Sequence, residues 1–256
     1  MNFYLPFLPE RENKPRANGI AMVMDKGLSL RQADDLIQSS GHLIDYVKLG
    51  FGTSIITNNL SDKIRFYQSN NIRTYFGGTL FEAFAIRNMF DDYRNLLNQH
   101  RMECVEISDG SMNMPHDKKC EYIHTLSKDF EVLSEVGSKD ASINIPPQEW
   151  VEQMRRELDA GSFKVIGEAR ESGTVGLFDK QGQANTDVID QITNNLNIED
   201  IIWEAPIKSQ QIWFIKHFGA NVNLGNINPN EIIPLETLRL GLRGDTFMHF
   251  LPSELK

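Results

Sequence analysis

Cysteine is scarce. The only two, Cys104 and Cys120, fall on a predicted strand and a predicted helix without metal-ligand spacing, so neither a disulfide framework nor a thiolate zinc site is indicated. Such usage fits a reducing, cytoplasmic compartment. Positive charge is the minority as well: 26 Lys and Arg against 35 Asp and Glu give a formal net charge of −9. That excludes nucleic acid as the main partner, because phosphate backbones are held by clustered cations, and any anionic ligand must find local ones. Long apolar runs are missing too. The opening MNFYLPFLPERENKPR is apolar at first, but prolines and charges interrupt it before a signal core or membrane span forms, so no membrane partner is expected. The six histidines include no His-x-x-x-His pair, and the nucleophile-elbow, dinucleotide and P-loop fingerprints are absent.

What is present is an alternation. Short β-rich runs stand at 20–25, 46–50, 73–78, 104–110, 130–137, 163–170, 201–206 and 221–226, and stretches between them, such as LFEAFAIRNMFDDYRNLLNQH, space apolar residues as helices do. Strand then helix, eight times, implies parallel strands covered on both faces. An open doubly wound sheet and a closed (β/α)8 TIM-type barrel both achieve this, and the strand count with 256 residues favours the barrel. With 40% hydrophobic and 24% charged residues and no Pro/Gly/Ser-rich linker, the chain reads as a single α/β domain over 1–256, with 1–18 an extension before the first strand. The loops at 139–147 and 171–185 are long enough to suggest function.

In such a barrel, the C-terminal ends of the strands line the active-site mouth. There the sequence places Asp25 and Lys26, Lys48, Glu106 and Asp109, Glu135, Glu168 with Arg170 and Glu171, and Glu204. One terminal acid is usually solvated or a cap partner; gathered around one opening, repelling carboxylates need a cation, and oxygen-only ligands suit Mg2+. The alternative is that some pair with Lys48, Lys139 or Arg170. Two features could hold an anion at the same end. FGGT places Gly77, Gly78 and Thr79 before a helix, and NLGN brings Asn223, Gly225 and Asn226 to the strand-8 loop, where barrels often hold phosphate. A Gly-Gly turn before a helix is also commonly just a turn and a cap.

Read together, MDKGLS (24–29), YVKLGFGTS (46–54), GGTLFE (77–82), VEISDGS (105–111), LSEVGSKD (133–140), GEARESG (167–173), GLFDKQG (176–182), WEAPIKSQQ (203–211), NVNLGNI (221–227) and LETLRLGLRGDT (235–246) resemble the phosphosulfolactate synthase family over nearly the whole chain. The resemblance implies a (β/α)8 barrel and a Mg2+-dependent addition of sulfite to phosphoenolpyruvate giving (2R)-phospho-3-sulfolactate, a reaction familiar from coenzyme M biosynthesis. On it rest the expected roles. Glu106, Glu135 and Glu168 are the metal-ligand candidates, with Asp25 and Glu204 behind them. Lys139, with a lowered pKa, is the proton donor to C2, and Lys48 neutralises developing charge or exchanges roles with it. Arg170, Lys26 and Lys208 hold phosphate, carboxylate or sulfite.

Two positions depart from the family pattern: Ser138 where a lysine is usual, and Ala169 where glycine is. GLRGDT belongs to the opposite end of the barrel, which makes Arg239, Arg243 and Asp245 bottom-face or interface residues. A homo-oligomer acting on small anions is expected. Two other classes compete: a non-catalytic scaffold akin to plant heat-tolerance proteins, and another lyase or aldolase using Lys48 or Lys139 as a Schiff base.

Overall fold

The computed structural model describes residues 3–140, 142–143 and 145–256. Eight short strands carry the Val, Ile, Tyr, Phe and Trp that suit a pleated, covered surface: β1 (Ala21–Asp25), β2 (Tyr46–Leu49), β3 (Arg73–Phe76), β4 (Cys104–Ile107), β5 (Glu131–Val136), β6 (Lys164–Gly167), β7 (Ile201–Glu204) and β8 (Leu224–Ile227). Their ladders are parallel and run in the order β3-β2-β1-β8-β7-β6-β5-β4, a nearly closed (β/α)8 barrel. Helices follow the strands: α1 (Leu30–Ser40), α2 (Leu60–Ser69), α3 (Gly78–Ala85), α4 (Phe90–Gln99), α5 (His116–Leu126), α6 (Pro147–Asp159), α7 (Thr186–Asn195), α8 (Lys208–Phe218) and α9 (Ile232–Arg239). At the seam, β3 and β4 lie side by side without a regular ladder, and side chains bridge them. Cys104 Sγ donates to the Thr74 carbonyl over 3.6 Å, and the Gly78 amide donates to Glu106 Oε1 over 2.5 Å.

Successive side chains of a strand point to opposite faces. Val23, Val47, Val105, Val132 and Val165 therefore join the helices in one large core, while Ile20, Met22, Tyr46, Tyr75, Cys104, Leu133, Ile166 and Ile202 fill the lumen as a second cluster. Two residues further along that lumen face come Lys48, Glu106, Glu135, Glu168 and Glu204, all buried. The charged layer thus stands on a dry apolar floor. The same parity sends Asp25 the other way, with Val23, toward α2. There Asp25 meets Lys63 at 2.9 Å and Tyr67 at 3.0 Å and accepts from the Gly27 and Leu28 amides.

Strand β8 begins three residues later than its sequence suggests. The Asn223 side chain, at the bottom, takes over backbone pairing: it accepts from Ile20 N and donates to the carbonyls of Glu199 and Ile201. Buried Arg239 closes the same end by donating to the Ala220, Val222 and Ile20 carbonyls. From the N-terminal extension, Arg11 pairs with Glu236 at 2.8 Å and Arg16 with Asp45 at 2.8 Å. Arg239 is thus a bottom-face residue, far from the acids, but Asp245 climbs the outside to pair with Lys208. Of the long loop at 139–147, Ala141 and Asn144 lie outside the described residues. The loop at 171–185 folds back on itself, bridging Ala169 to Gly176 and Phe178 to Ala184.

Candidate active site

Lys48 is the hub of the charged layer. Its ammonium lies 2.9 Å from Glu106, 3.1 Å from Glu135 and 3.1 Å from Glu204, so strands β2, β4, β5 and β7 meet at one cation. Gly77 makes room for it, since a Cβ there would stand 3.2 Å from Lys48 Cε. The second oxygens are used as well: Glu106 accepts from Gly78 N at 2.5 Å and Glu204 from Ala169 N at 2.9 Å. The GGT turn at the start of α3 therefore receives the protein's own carboxylate, which is the anion its helix N-terminus favours.

Lys139 forms the wall. Just past β5, its side chain crosses Gly110 and brings its ammonium 2.5 Å from Glu135, 3.5 Å from Glu168 and 3.8 Å from Glu82. Glu82, on α3, is held by the Ser108 hydroxyl and by Ser111 N at 3.0 Å. Asp109 points away from this group. It pairs with Lys119 of α5 at 2.8 Å, and Lys119 also holds Glu157 at 2.8 Å and donates to the Glu135 carbonyl at 2.6 Å.

Acids outnumber cations here, and the proton affinities show it. Burial raises Glu168 well above the usual carboxylate range, with Glu135 and Glu204 adding to it and a hydrogen bond to Glu135 acting the same way. Burial also pushes Glu204 up to about 7 against the pull of Lys48, and raises Glu106. For Glu135 the burial cost is outweighed by Lys139 and Lys48, which hold it well below the usual range. Burial lowers both lysines, yet their carboxylate neighbours prevail and both end raised. The lowered pKa expected of Lys139 is thus reversed, because its nearest neighbours are acids rather than other cations.

This donor set fits a hard divalent cation. Oxygens of Glu135, Glu168 and Glu204 lie within 4.8 Å of one another, and Glu168 Oε2 is buried without a hydrogen-bond partner. Octahedral Mg2+ holds its oxygens at about 2.1 Å, so small side-chain movements would close the three around one ion. Of the expected trio, Glu135 and Glu168 belong to this group. Glu106 lies outside the group, and Glu204 takes its place.

The mouth above these residues encloses about 490 Å³ and is lined by Lys48, Lys139, Gly77, Gly78, Thr79, Arg170 and Asn226 together with the acids. Asn226 reaches it through a bulge: at φ 56° it breaks the β1–β8 register, donates its side-chain amide to the Ala169 carbonyl at 3.2 Å and keeps its Oδ1 buried and unpartnered. Lys26 sits at the rim, paired with Glu171 and 5.9 Å from the Phe51 ring. Three expected ligands are not brought here. Lys208 is turned outward to Asp245 at 2.6 Å, and Asn223 is at the far end of the barrel. Gly225 lies below the mouth, its face covered by Met22. Ala169 directs its methyl into the outer core, so the extra carbon stays clear of Glu168, and Ser138 lines a neighbouring cleft.

Glu82, Lys119 and Glu157 escaped sequence reasoning because they are charged residues on amphipathic helices. A signal existed: Lys119 shares a face with Ile123 and Leu126, and Glu157 with Trp150 and Met154, at helical spacing.

Residues 9–245 match the family model described as (2R)-phospho-3-sulfolactate synthase (ComA). The chain is 42% identical over 250 residues to the phosphosulfolactate synthase of Bacillus subtilis, covering 96% of this chain and 99% of that one. It is 41% identical over 252 residues to that of Methanothermobacter thermautotrophicus, covering 96% and 98%. In fold it is similar to a 3-hexulose-6-phosphate synthase from Salmonella typhimurium, with TM-score 0.56 and 12% identity over 88% of this chain and 100% of that one.

Proposed function

The chain belongs to the phosphosulfolactate synthase family, and from that premise we propose that it joins sulfite to phosphoenolpyruvate, with Mg2+, to give (2R)-phospho-3-sulfolactate. The observation that carries this reading is the placement of two charged lysines around a surplus of buried carboxylates at the strand ends. In the reaction a sulfur–carbon bond forms at C3, the C2=C3 π pair moves toward the carboxylate, and C2 then takes a proton. When bound, Mg2+ would supply Lewis-acid stabilisation for that growing negative charge, with Glu135, Glu168 and Glu204 as its protein ligands.

The residues divide the remaining work. Lys48, clamped by three carboxylates, is a fixed positive charge beneath the substrate and exchanges no proton readily. Lys139 is half-buried at the wall and stays protonated at neutral pH, as a donor to C2 must before it acts. Its delivery from one side fixes the R configuration. An aldolase-type imine requires a neutral lysine; Lys48 and Lys139 are both held charged by acids, which disfavours that alternative. The free thiols of Cys104 and Cys120 support placing the enzyme in the cytoplasm, and exposed Phe3, Tyr4, Ile55 and Ile56 support a homo-oligomer. Among the described residues, no helix is long and apolar enough to cross a membrane.

Phosphorus NMR tests the reading. A new phosphate ester must appear only with phosphoenolpyruvate, sulfite and Mg2+ together, and vanish with chelator; no product under those conditions defeats it. Full turnover by Lys139→Ala would remove Lys139 from the donor role.

A further inference from the structure

Beside the mouth lies a second, larger cleft of about 1000 Å³ over the β4–α5 and β5–α6 loops. Its walls include Met112, Met114 and Ile145. Only Lys139 and Arg170 line both cavities, and they are also the only cations among the described residues lining the side cleft. Of the cleft's acids, Asp109 is paired with Lys119, Asp140 accepts from the Ser142 amide and hydroxyl and lies within reach of the Arg170 charge, and Glu149 accepts from Gln153. An anion moving along this cleft therefore meets positive charge only where the two cavities join.

The two shared cations differ in their freedom. Lys139 is tied to Glu135, yet its ammonium reaches the side cleft, 3.2 Å from where a Cβ of Gly110 would stand. Arg170 is exposed, and among the described residues it forms no ion pair, whereas Lys26, Lys48, Lys139 and Lys208 all do. A planar guanidinium grips two oxygens of a small oxyanion at once. Sulfite held by its oxygens keeps the sulfur lone pair free for attack.

We infer that the side cleft is the approach to the reacting centre for sulfite, and that Arg170, at the junction, is the residue that binds it. This rests on the proposed reaction. The ester substrate occupies the mouth over the acids, and the second anion reaches C3 from the side without crossing that acid layer. Arg170 is then a sulfite residue rather than a phosphate or carboxylate one.

Steady-state kinetics of Arg170→Gln decide the point, because an exposed, unpaired side chain can be replaced without loss of the fold. The KM for sulfite is expected to rise roughly 10- to 100-fold, the loss of a charge-assisted hydrogen-bonded pair. The KM for phosphoenolpyruvate, and its Kd by calorimetry without sulfite, should stay unchanged. Arg170→Lys should fall between, keeping charge but losing the fork. An equal rise for phosphoenolpyruvate, or no change for sulfite, overturns the assignment. If the unmodified enzyme makes no product from the two substrates, the reaction itself is wrong; if it does and Arg170→Gln is silent, only the subsite is.

Discussion

The ammonium of Lys119 stands 2.6 Å from the main-chain carbonyl of Glu135, so a lysine in the outer helix layer holds the strand that carries a lumen carboxylate. The same ammonium pairs at 2.8 Å with Glu157, which is fully buried. Replacing Lys119 with Met strands that acid, and breaking a buried pair from one side costs about 3–5 kcal/mol. Urea unfolding should show a loss of that order, partly recovered by adding Glu157→Gln. A variant as stable as the parent would show that the pair carries no stability.

Glu204 and Glu157 are each pushed up to about 7 by burial, from an ordinary value of 4.5. A carboxyl that binds its proton more tightly when folded stabilises the fold below the ordinary value and loses that contribution as pH rises through the folded one. The melting temperature of metal-free protein should therefore fall across pH 4.5 to 7 on account of these two groups. Glu135, held low, acts oppositely and only below that window. Glu157→Gln and Glu204→Gln should each flatten the decline; a slope unchanged in both would contradict the burial argument.

Mn2+ titration followed by electron spin resonance distinguishes the carboxylates. Glu135→Gln, Glu168→Gln and Glu204→Gln should each weaken binding by at least about tenfold, in the range seen even for residues supporting metal ligands. Glu106→Gln should matter less, because Glu106 lies outside the trio whose oxygens come within 4.8 Å of one another. Equal losses at all four positions would return Glu106 to the metal group.

Gly78 has no space for a side chain: a Cβ would run into Ser108 and stand 2.9 Å from Glu106 Oε1. Overpacking of this kind costs roughly 1–3 kcal/mol. Gly78→Ala should lower both the melting temperature and kcat, since the displaced atoms belong to the acid layer and to the Glu82 contact. Normal activity would mean that the turn yields without disturbing either.

Seven of the eight strands begin within one residue of where their apolar runs begin, because parallel strands buried on both faces read as continuous hydrophobic segments. Alternation along VEISDG sets Glu106 on the face opposite Val105 and Ile107, which is where the lumen lies. Other features needed three dimensions. Counting in twos from Val23 would have sent Asp25 outward, but only the barrel shows that outward means the Lys63 and Tyr67 pocket. The start of β8 was hidden because Asn223 replaces backbone pairing with side-chain bonds. Lys48 was legible as a strand-end cation, yet its three partners come from strands far apart in sequence.

The seam between β3 and β4 gives the barrel an opening coordinate. Local unfolding is easiest where backbone pairing is sparse, and here that place is crossed by the Gly78–Glu106 hydrogen bond, whose acceptor also faces the mouth. Whatever changes the charge on Glu106 changes the strength of that crossing. Amides of β3 and β4 should accordingly exchange with solvent faster than those of β1, and slow when the mouth is filled. Breathing of the barrel and occupancy of its site then become one equilibrium, measured from either side.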